Sequence, residues 1–214
     1  MIRRALSGWL LALLVLPQLV NAATAPTALD RYLNGLTTWS AQFTQSVVDA
    51  NGRAAGQGSG ALTIVRPGKF RWSFTPAGAP EGAQLLVADG RNLWFQDSDL
   101  EQVTVKPMDA ALSQTPAMLL SGGARIADSF DVTPAGRDAG LEWVKVTPYG
   151  ADADFKAARL GFAGQELKRM VLDDKLGQVA TLEFSASARN KPVAADRMRY
   201  TPPAGFNVIG TALK

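Results

Sequence analysis

The sequence lacks both cysteine and histidine. These absences exclude a disulfide, a thiol nucleophile, a Ser-His-Asp triad and a zinc site built from Cys and His ligands. Catalysis by carboxylates and the binding of hard cations remain open. The 214 residues are enough to bury a sizeable core, and they suit one domain.

The N-terminal residues have the pattern of a secretory signal peptide. Met1–Arg4 is basic, Ala5–Leu16 is apolar, and Val20–Ala22 ends in a small residue of the kind that a signal peptidase reads. The apolar stretch is shorter than the roughly 20 residues that span a bilayer, which disfavours a membrane anchor. We therefore predict that residues 1–22 are removed and that the product, without a cysteine at the cleavage point, is soluble.

The remaining domain, residues 23–214, also lacks an excess of charge of one sign. Removal of Arg3 and Arg4 leaves 20 Lys and Arg residues against 19 Asp and Glu residues. Nothing in this balance resembles the dense cationic face that nucleic acids require, so no nucleic-acid partner is expected.

Most of the domain alternates with the two-residue period of β-strands. A helix is predicted first, over Ala28–Leu36, because Leu29, Leu33 and Leu36 recur on one face and Thr27 can cap its start. Strands are then predicted from alternating apolar residues and from turn signals. They cover Phe43–Val48, Leu62–Arg66, Phe70–Phe74, Leu85–Ala88, Leu93–Gln96, Gln102–Lys106, Leu141–Thr147, Ala158–Phe162, Glu166–Asp173, Val179–Ala186 and Arg197–Thr201.

A second apolar helix interrupts the strands. Thr115–Gly123 contains a capping residue, a proline at the first helical position, an apolar turn and a glycine stop. Strands at about ten-residue spacing indicate one antiparallel sheet or barrel, on which two apolar helices must pack. We find no internal repeat or linker, so a single domain is expected.

Two candidate motifs are rejected or disfavoured. Gly56–Ala61 formally matches a dinucleotide-binding glycine pattern, but a strand follows where that motif requires a helix, so a flexible hairpin is predicted instead. Asp97, Asp99 and Glu101 alternate and would suit a calcium site or a glycosidase pair of carboxylates. Solvated charge near a turn is the favoured interpretation of these three residues.

The aromatic residues are the remaining signal. The domain keeps four Trp residues (Trp39, Trp72, Trp94 and Trp143), nine Phe and three Tyr, which suit a packed core, and equally a barrel whose unfilled interior holds an apolar ligand beneath a helical lid. Composition does not separate a packed barrel from a hollow one, and both alternatives stay open.

Four stretches together resemble the LolA family of periplasmic outer-membrane lipoprotein carriers. They occur in the family's order and are followed by a fitting C-terminal stretch, Tyr200–Phe206, so that the resemblance extends over essentially the whole domain. The four stretches are Ser40–Gln45, Val65–Trp72, Val87–Phe95 and Gln114–Leu120.

The resemblance implies a mainly β fold with short helices, an unclosed antiparallel β-barrel covered by an α-helical lid. It implies a non-enzymatic carrier, without cofactor or metal, that shields triacylated lipoproteins. Its expected partners are an inner-membrane ABC-type lipoprotein extractor and an outer-membrane lipoprotein receptor. A monomer fits this role, and the lack of a cysteine at the signal cleavage site favours the carrier over the lipid-anchored receptor.

The resemblance also implies roles for single residues. Arg66 matches a latch arginine that bonds to the lid backbone near Leu33, Leu120 and Ser121, and Phe70 matches an aromatic at the cavity mouth that serves partner handover. From the residues alone, Arg66 is either a surface arginine at a strand end before Pro67 or, since it shares strand parity with Leu62, an inward side chain whose donors need acceptors such as helix C-terminal carbonyls; the resemblance favours the second. The predicted acyl-chain cavity and lid comprise Leu29, Leu36, Phe43, Leu62, Ile64, Trp72, Phe74, Leu93, Phe95, Met118 and Leu119.

Two other functions stay as alternatives. The first is a periplasmic regulatory protein that senses lipid on the same open-barrel fold, although the domain has little room for the second domain that such a sensor usually carries. The second is an enzyme that uses the carboxylates of Asp97, Asp99 and Glu101.

Overall fold

One twelve-stranded sheet organises the chain in the computed structural model, which describes residues 25–108, 116–122, 126–150, 153 and 155–213. The predicted signal peptide lies outside these residues. The strands are β1 (Thr38–Val48), β2 (Ala54–Val65), β3 (Lys69–Pro76), β4 (Gln84–Ala88), β5 (Asn92–Asp97), β6 (Gln102–Pro107), β7 (Phe130–Asp138), β8 (Leu141–Pro148), β9 (Phe155–Ala163), β10 (Glu166–Asp174), β11 (Val179–Arg189) and β12 (Asn207–Ile209).

The sheet is open. Its strand order is β12-β6-β5-β4-β3-β2-β1-β11-β10-β9-β8-β7, so β12 and β7 are the two edges. Neighbouring strands are antiparallel except for β12, which runs parallel to β6. The sheet is centred on β1, which pairs with β2 on one side and with β11 on the other. The expected unclosed, mainly antiparallel β architecture is confirmed.

The helices are short. They are α1 (Ala28–Leu33), α2 (Pro116–Ser121), α3 (Ile126–Ser129) and a 3-10 turn (Ala195–Met198). No helix among the described residues has the length and apolar character needed to cross a membrane.

Helix α1 starts where the sequence predicts and ends earlier. Thr27 caps it in a reciprocal box with Asp30, in which the hydroxyl of Thr27 accepts from the Asp30 amide at 3.2 Å and the Asp30 carboxylate accepts from the Thr27 amide at 2.8 Å. The helix ends at Leu33 because Asn34 is extended and Gly35 has a φ of +65°. The predicted end at Leu36 is therefore wrong by three residues.

Each face of the sheet carries an apolar cluster. The inner face, on the side of the helices, contains the large core, which includes Phe43, Leu62, Ile64 and Phe70. On the outer face a smaller cluster from β4, β5 and β6 is covered by the C-terminal segment through Tyr200 and Phe206. The alternating side chains of the strands thus supply two cores, and the inner one positions the candidate site.

Several predicted elements are corrected. The glycine-rich stretch Gly56–Ala61 is part of β2 and not a flexible hairpin, and its register opposite β1 is continuous from Thr38 to Val47. Arg197–Thr201 is not a strand, since the 3-10 turn occupies Ala195–Met198. Strands β7 and β12 were not predicted, because β7 has little apolar alternation and β12 has three residues.

Candidate functional site

The inner face is lined by aromatic rings from the central strands. The ring of Phe43 lies 4.6 Å from that of Trp72, stacks with Phe74 at 6.3 Å and meets Phe184 edge-on at 6.4 Å between centroids. Two glycines of β2 make room for these rings, because a Cβ at Gly60 would lie 2.6 Å from Phe43 and one at Gly58 would lie 2.6 Å from Phe74. The glycine-rich stretch is therefore the floor on which the aromatic layer lies.

Most of the predicted cavity residues come together on this face. Phe95 is the exception: it shares the parity of Leu93, but its side chain is 39% exposed. The side chain of Met118, in α2, lies outside the described part of the chain. The other residues are buried or partly buried in the inner core, namely Leu29, Leu36, Phe43, Leu62, Ile64, Trp72, Phe74, Leu93 and Leu119.

In this conformation side chains fill the space beneath α1. Leu62, Ile64 and Leu120 are fully buried, and Tyr32 of α1 packs at 5.4 Å from Phe162 of β9. The described part of the inner face beneath α1 is thus closely packed in this form.

Arg66 meets α1 at the end of β2. Its Nη1 donates a hydrogen bond of 3.0 Å to the carbonyl oxygen of Leu33, in the last turn of α1. This carbonyl also accepts from the backbone amide of Leu36 at 3.1 Å and lies at the negative end of the helix dipole, so a guanidinium is a favourable second donor to it. The structure thus brings together Arg66 and Leu33, the first of the predicted lid contacts.

The same guanidinium lies against the end of α2. Gly122, with a φ of +67°, follows α2, and a Cβ there would lie 2.3 Å from Nη2 of Arg66. The strand turn also reaches α2, because the amide of Gly68 donates to the carbonyl of Ser121 at 2.9 Å. Leu120 and Ser121 are both buried. Arg66 therefore lies at the meeting point of the two helices.

Arg189, which the sequence pattern did not reveal, is a second arginine at the C-terminal end of α1. It donates through Nη1 to the carbonyl of Tyr32 and through Nη2 to that of Asn34 at 2.6 Å. Its guanidinium also lies 5.4 Å from the centre of the Tyr32 ring. Three consecutive carbonyls at the end of α1 thus accept from two arginines on different strands.

The direction of Arg189 depends on a β-bulge. The register between β1 and β11 shifts between Ser40 and Gln42, and Ala186 has a φ of +47°. The extra residue reverses the parity beyond it, so that Arg189 lies opposite inward-facing Trp39. A simple alternation from Phe184 would direct Arg189 outward, and a left-handed alanine gives no sequence signal.

Two further contacts hold α1 to the sheet. Nδ2 of Asn190 donates to the carbonyl of Gly35 at 2.9 Å. On the far side, Nη2 of Arg31 forms a 2.7 Å ion pair with Glu142 of β8. Helix α1 therefore spans from β2 to β8 across the inner face.

Helices α1 and α2 together form a cover over the inner face, and the electrostatics of this region favour its closed position. Burial lowers the pKa of Arg66, and the charge of Arg189 lowers it further. An arginine nevertheless remains protonated at any physiological pH. The carbonyl oxygens at the end of α1 offset the repulsion between these two like charges.

Phe70 lies beneath the cover rather than at an open mouth. It is fully buried, and it pairs in register with Ile64 on β2 and Ala88 on β4. A partner protein does not reach this ring in the closed conformation.

The three alternating acidic residues belong to a turn. Oδ1 of Asp97 accepts from the backbone amides of Asp99 and Leu100 at 3.1 and 3.2 Å, which is a local turn contact. In the part of the chain that the structure describes, no group of three His, Cys, Asp or Glu residues is arranged to hold a metal ion. The favoured interpretation of this stretch as turn charge agrees with the Asp97 contacts.

Comparisons with known proteins point to one family. The family model described as outer membrane lipoprotein carrier protein LolA matches residues 34–201. The outer-membrane lipoprotein carrier protein of Dechloromonas aromatica (strain RCB) is 39% identical over 209 residues, which are 98% of this chain and 97% of the relative. The protein of that name from Xanthomonas oryzae pv. oryzae (strain MAFF 311018) is 40% identical over 193 residues, 89% of this chain and 90% of the relative.

One solved structure has a similar fold. The crystal structure of an uncharacterized conserved protein from Thermus thermophilus superposes with a TM-score of 0.53 at 20% identity. The match covers 85% of this chain and 96% of the other. This likeness concerns the fold alone.

Proposed function

Because the chain belongs to the LolA family of outer membrane lipoprotein carrier proteins, we propose that it is a periplasmic carrier that accepts triacylated lipoproteins released from the inner membrane. It shields their acyl chains against the inner face of the sheet beneath α1 and α2. It receives the cargo from an ABC-type extractor and passes it to an outer-membrane receptor. The family consists of carriers and not of enzymes, which agrees with the expectation from sequence.

The observation that carries this proposal is the apolar inner face under a cover held by main-chain bonds. Arg66 donates to Leu33 of α1 and packs against Gly122 after α2, so one side chain ties both helices to the end of β2. The bonds go to backbone carbonyls, which remain as acceptors for water when the helices move. We infer that this contact acts as a latch on the empty carrier.

A latch gives such a carrier a means of release. Burial of an acyl chain contributes about 0.8 kcal/mol per CH₂, so one long chain amounts to roughly 10 kcal/mol from water. A carrier that bound this surface without opposition would not give it up. Contacts present only in the closed, empty state favour that state and lower the net affinity for cargo.

Handover then depends on movement of the cover. Phe70 is buried against Ile64 and Ala88 when the cover is closed. In the proposed mechanism, displacement of α2 exposes this ring at the mouth, where a partner protein contacts it. The carrier works as a monomer in this scheme, one copy for each lipoprotein.

The experiment is a release assay. Inner-membrane vesicles that contain the extractor and a labelled lipoprotein are incubated with ATP and residues 23–214. We expect lipoprotein in the soluble fraction as a one-to-one complex with the protein. If nothing is released while another carrier of the family is active on the same vesicles, the carrier function is overturned and the lipid-sensing alternative is favoured.

A matched pair of variants locates the acyl chains in the same assay. Phe95 lies on the same side of β5 as Leu93, which faces inward, and it is 39% exposed. Leu100 lies in the following turn and is 69% exposed. Phe95→Asp places a charge against the proposed acyl site, so we expect it to lower the yield of complex, while Leu100→Asp leaves it unchanged. Equal yields would remove Phe95 from the site.

A further inference from the structure

Tyr32, on the underside of α1, carries a buried hydroxyl without a partner. Its side chain is 2% exposed, and among the described residues no protein group forms a hydrogen bond with the hydroxyl. The ring lies between Trp39 at 6.1 Å and Phe162 at 5.4 Å, with the guanidinium of Arg189 at 5.4 Å from its centre. The hydroxyl is therefore a polar atom within the apolar inner core.

Such an arrangement has a cost that phenylalanine at this position would not have. A buried donor without an acceptor loses its hydrogen bond to water and gains nothing in exchange, and such groups are rare in folded proteins. Burial also raises the pKa of Tyr32, outweighing the charge of Arg189, which lowers it. The hydroxyl therefore stays protonated and keeps its capacity to donate.

The chemistry of an acyl cargo supplies a matching acceptor. Every acyl chain ends in a carbonyl, as an ester or an amide, and this carbonyl enters the apolar site with the chain. Buried there, it in turn requires a donor. The inner-face residues in ring contact with Tyr32, namely Trp39 and Phe162, contribute rings to the core.

We propose that the hydroxyl of Tyr32 donates a hydrogen bond to the carbonyl oxygen of an acyl ester of the bound cargo, and that it thereby sets a preference for acyl esters over plain hydrocarbon chains. This inference rests on the proposed carrier function. Tyr32 directly precedes Leu33, whose carbonyl accepts from Arg66 in the closed form. Recognition of the acyl carbonyl and release of the latch therefore occur in the same turn of α1.

The test compares two probes and three proteins. Monopalmitoylglycerol has an ester carbonyl, whereas hexadecylglycerol has an ether in its place and a chain of the same length. Their affinities are measured by displacement of a fluorescent apolar dye from the wild type, from Tyr32→Phe and from Tyr149→Phe. Tyr149 is the control because its ring is 65% exposed.

We expect the wild type and Tyr149→Phe to bind the ester about threefold to tenfold more tightly than the ether. In Tyr32→Phe this ratio falls to about one, mainly through weaker binding of the ester. An unchanged ratio in Tyr32→Phe overturns the inference but leaves the carrier function intact. If neither probe binds the wild type, the carrier function and this inference fail together.

Thermal unfolding without lipid gives an independent readout. Because Tyr32→Phe removes a hydroxyl that lacks a partner, we expect the unfolding midpoint to rise by roughly 2–4 °C. Tyr149→Phe leaves the midpoint unchanged. A fall of the midpoint in Tyr32→Phe would show that the hydroxyl is bonded within the empty protein, and would overturn the inference.

Discussion

Arg66 is the side chain whose contacts couple the cover to the sheet. The 3.0 Å bond to the carbonyl of Leu33 and the packing on Gly122 both involve main-chain atoms, so they depend on the path of the two helices and not on their side chains. The sequence places Arg66 on the same strand face as Leu62 and Ile64, and its acceptors on the lid come from the family resemblance.

The variant Arg66→Leu tests the latch. It removes the donor to Leu33 while keeping an aliphatic side chain on the inner face, so the closed form no longer competes with cargo. We expect normal loading and about tenfold slower transfer to the receptor, in line with the loss of one charge-assisted hydrogen bond. Transfer of labelled lipoprotein from the purified complex to receptor-containing membranes measures this rate.

Arg53→Leu is the matched control, because Arg53 is exposed in the hairpin between β1 and β2. It should transfer at the wild-type rate. Wild-type transfer by Arg66→Leu would disprove the latch.

Gly122→Ala tests the same contact from the other side. A Cβ at this position would lie 2.3 Å from Nη2 and 2.5 Å from Nε of Arg66, so the guanidinium must move away from α2. The φ of +67° adds backbone strain of about 1–2 kcal/mol. Gly52→Ala shares the strain, with a φ of +77°, but its Cβ would meet no atom within 4 Å.

We expect both variants to lose stability in urea unfolding, Gly122→Ala more than Gly52→Ala because it also displaces the guanidinium of Arg66, while only Gly122→Ala slows transfer. Gly52→Ala thus measures the backbone strain alone, and the excess loss in Gly122→Ala measures the displacement of Arg66. Equal transfer rates in the two variants would mean that the guanidinium does not act through α2.

At the scale of elements, the alternation of apolar and polar residues predicted the strands correctly wherever a strand had one buried face. Strands β3 to β6 and β8 to β11 follow from their apolar period and turn signals. Only the second part of β2, from Leu62 on, was predicted; its glycine-rich first part was not, because glycine has neither the side chain nor the propensity that marks a strand. Its glycines are explained by the rings of Phe43 and Phe74, which come from other strands and are therefore not visible in the local sequence.

A pair of glycine variants tests this explanation. At Gly60 a Cβ would lie 2.0 Å from the carbonyl oxygen of Ser73 and 2.6 Å from Phe43, whereas at Gly56 it would meet no atom within 4 Å. We expect Gly60→Ala to lower the free energy of unfolding by about 2–3 kcal/mol, because β2 and β3 must shift apart. Gly56→Ala stays within about 0.5 kcal/mol of the wild type.

Urea unfolding followed by tryptophan fluorescence measures both variants. A tolerated Gly60→Ala would mean that the glycine-rich stretch is not set by close packing of the aromatic layer.

The candidate site was predicted in part for a related reason. Arg66 and the apolar residues of the inner face follow from parity within single strands, together with the family resemblance. Arg189 does not, because its direction depends on the bulge at Ala186 and its partners on the end of α1. To predict contacts between distant elements, one must know how those elements are aligned with each other, and a single sequence does not give that register.

At the scale of the whole molecule, the sheet separates an outer apolar core from the inner face that the helices cover. Its outer face, at β4 to β6, is covered by the C-terminal segment through Tyr200, whose hydroxyl donates to Gln96 at 2.9 Å. Its inner face is covered by short helices that are tied through arginines to backbone carbonyls. We infer that the outer core gives permanent stability, so that the inner cover is free to open without unfolding the sheet.

The acid stability of the whole molecule follows from its carboxylates and its lack of histidine. Burial alone would raise the pKa of Asp89, but hydrogen bonds from the indole of Trp94 and from the amides of Asn92 and Arg91 lower it. The amide of Arg53 lowers the pKa of Asp49, and the side chain of Arg31 lowers that of Glu142. These carboxylates therefore bind protons less readily in the folded state than in the unfolded state.

A carboxylate whose pKa is lowered in the folded state stabilises the fold at pH values above its unfolded pKa, which is about 3.9 for Asp and 4.3 for Glu. This stabilisation is lost as the pH falls through the folded pKa. Since no histidine titrates, we expect the free energy of unfolding to be nearly constant from about pH 5.5 to 7.5 and to fall steadily below about pH 4.5. Urea unfolding at a series of pH values measures this profile. Asp89→Asn should have the shallower acid slope, because asparagine does not titrate and position 89 then no longer binds a proton on unfolding in acid. A profile with a step near pH 6.5 would contradict this assignment of the acid dependence to carboxylates.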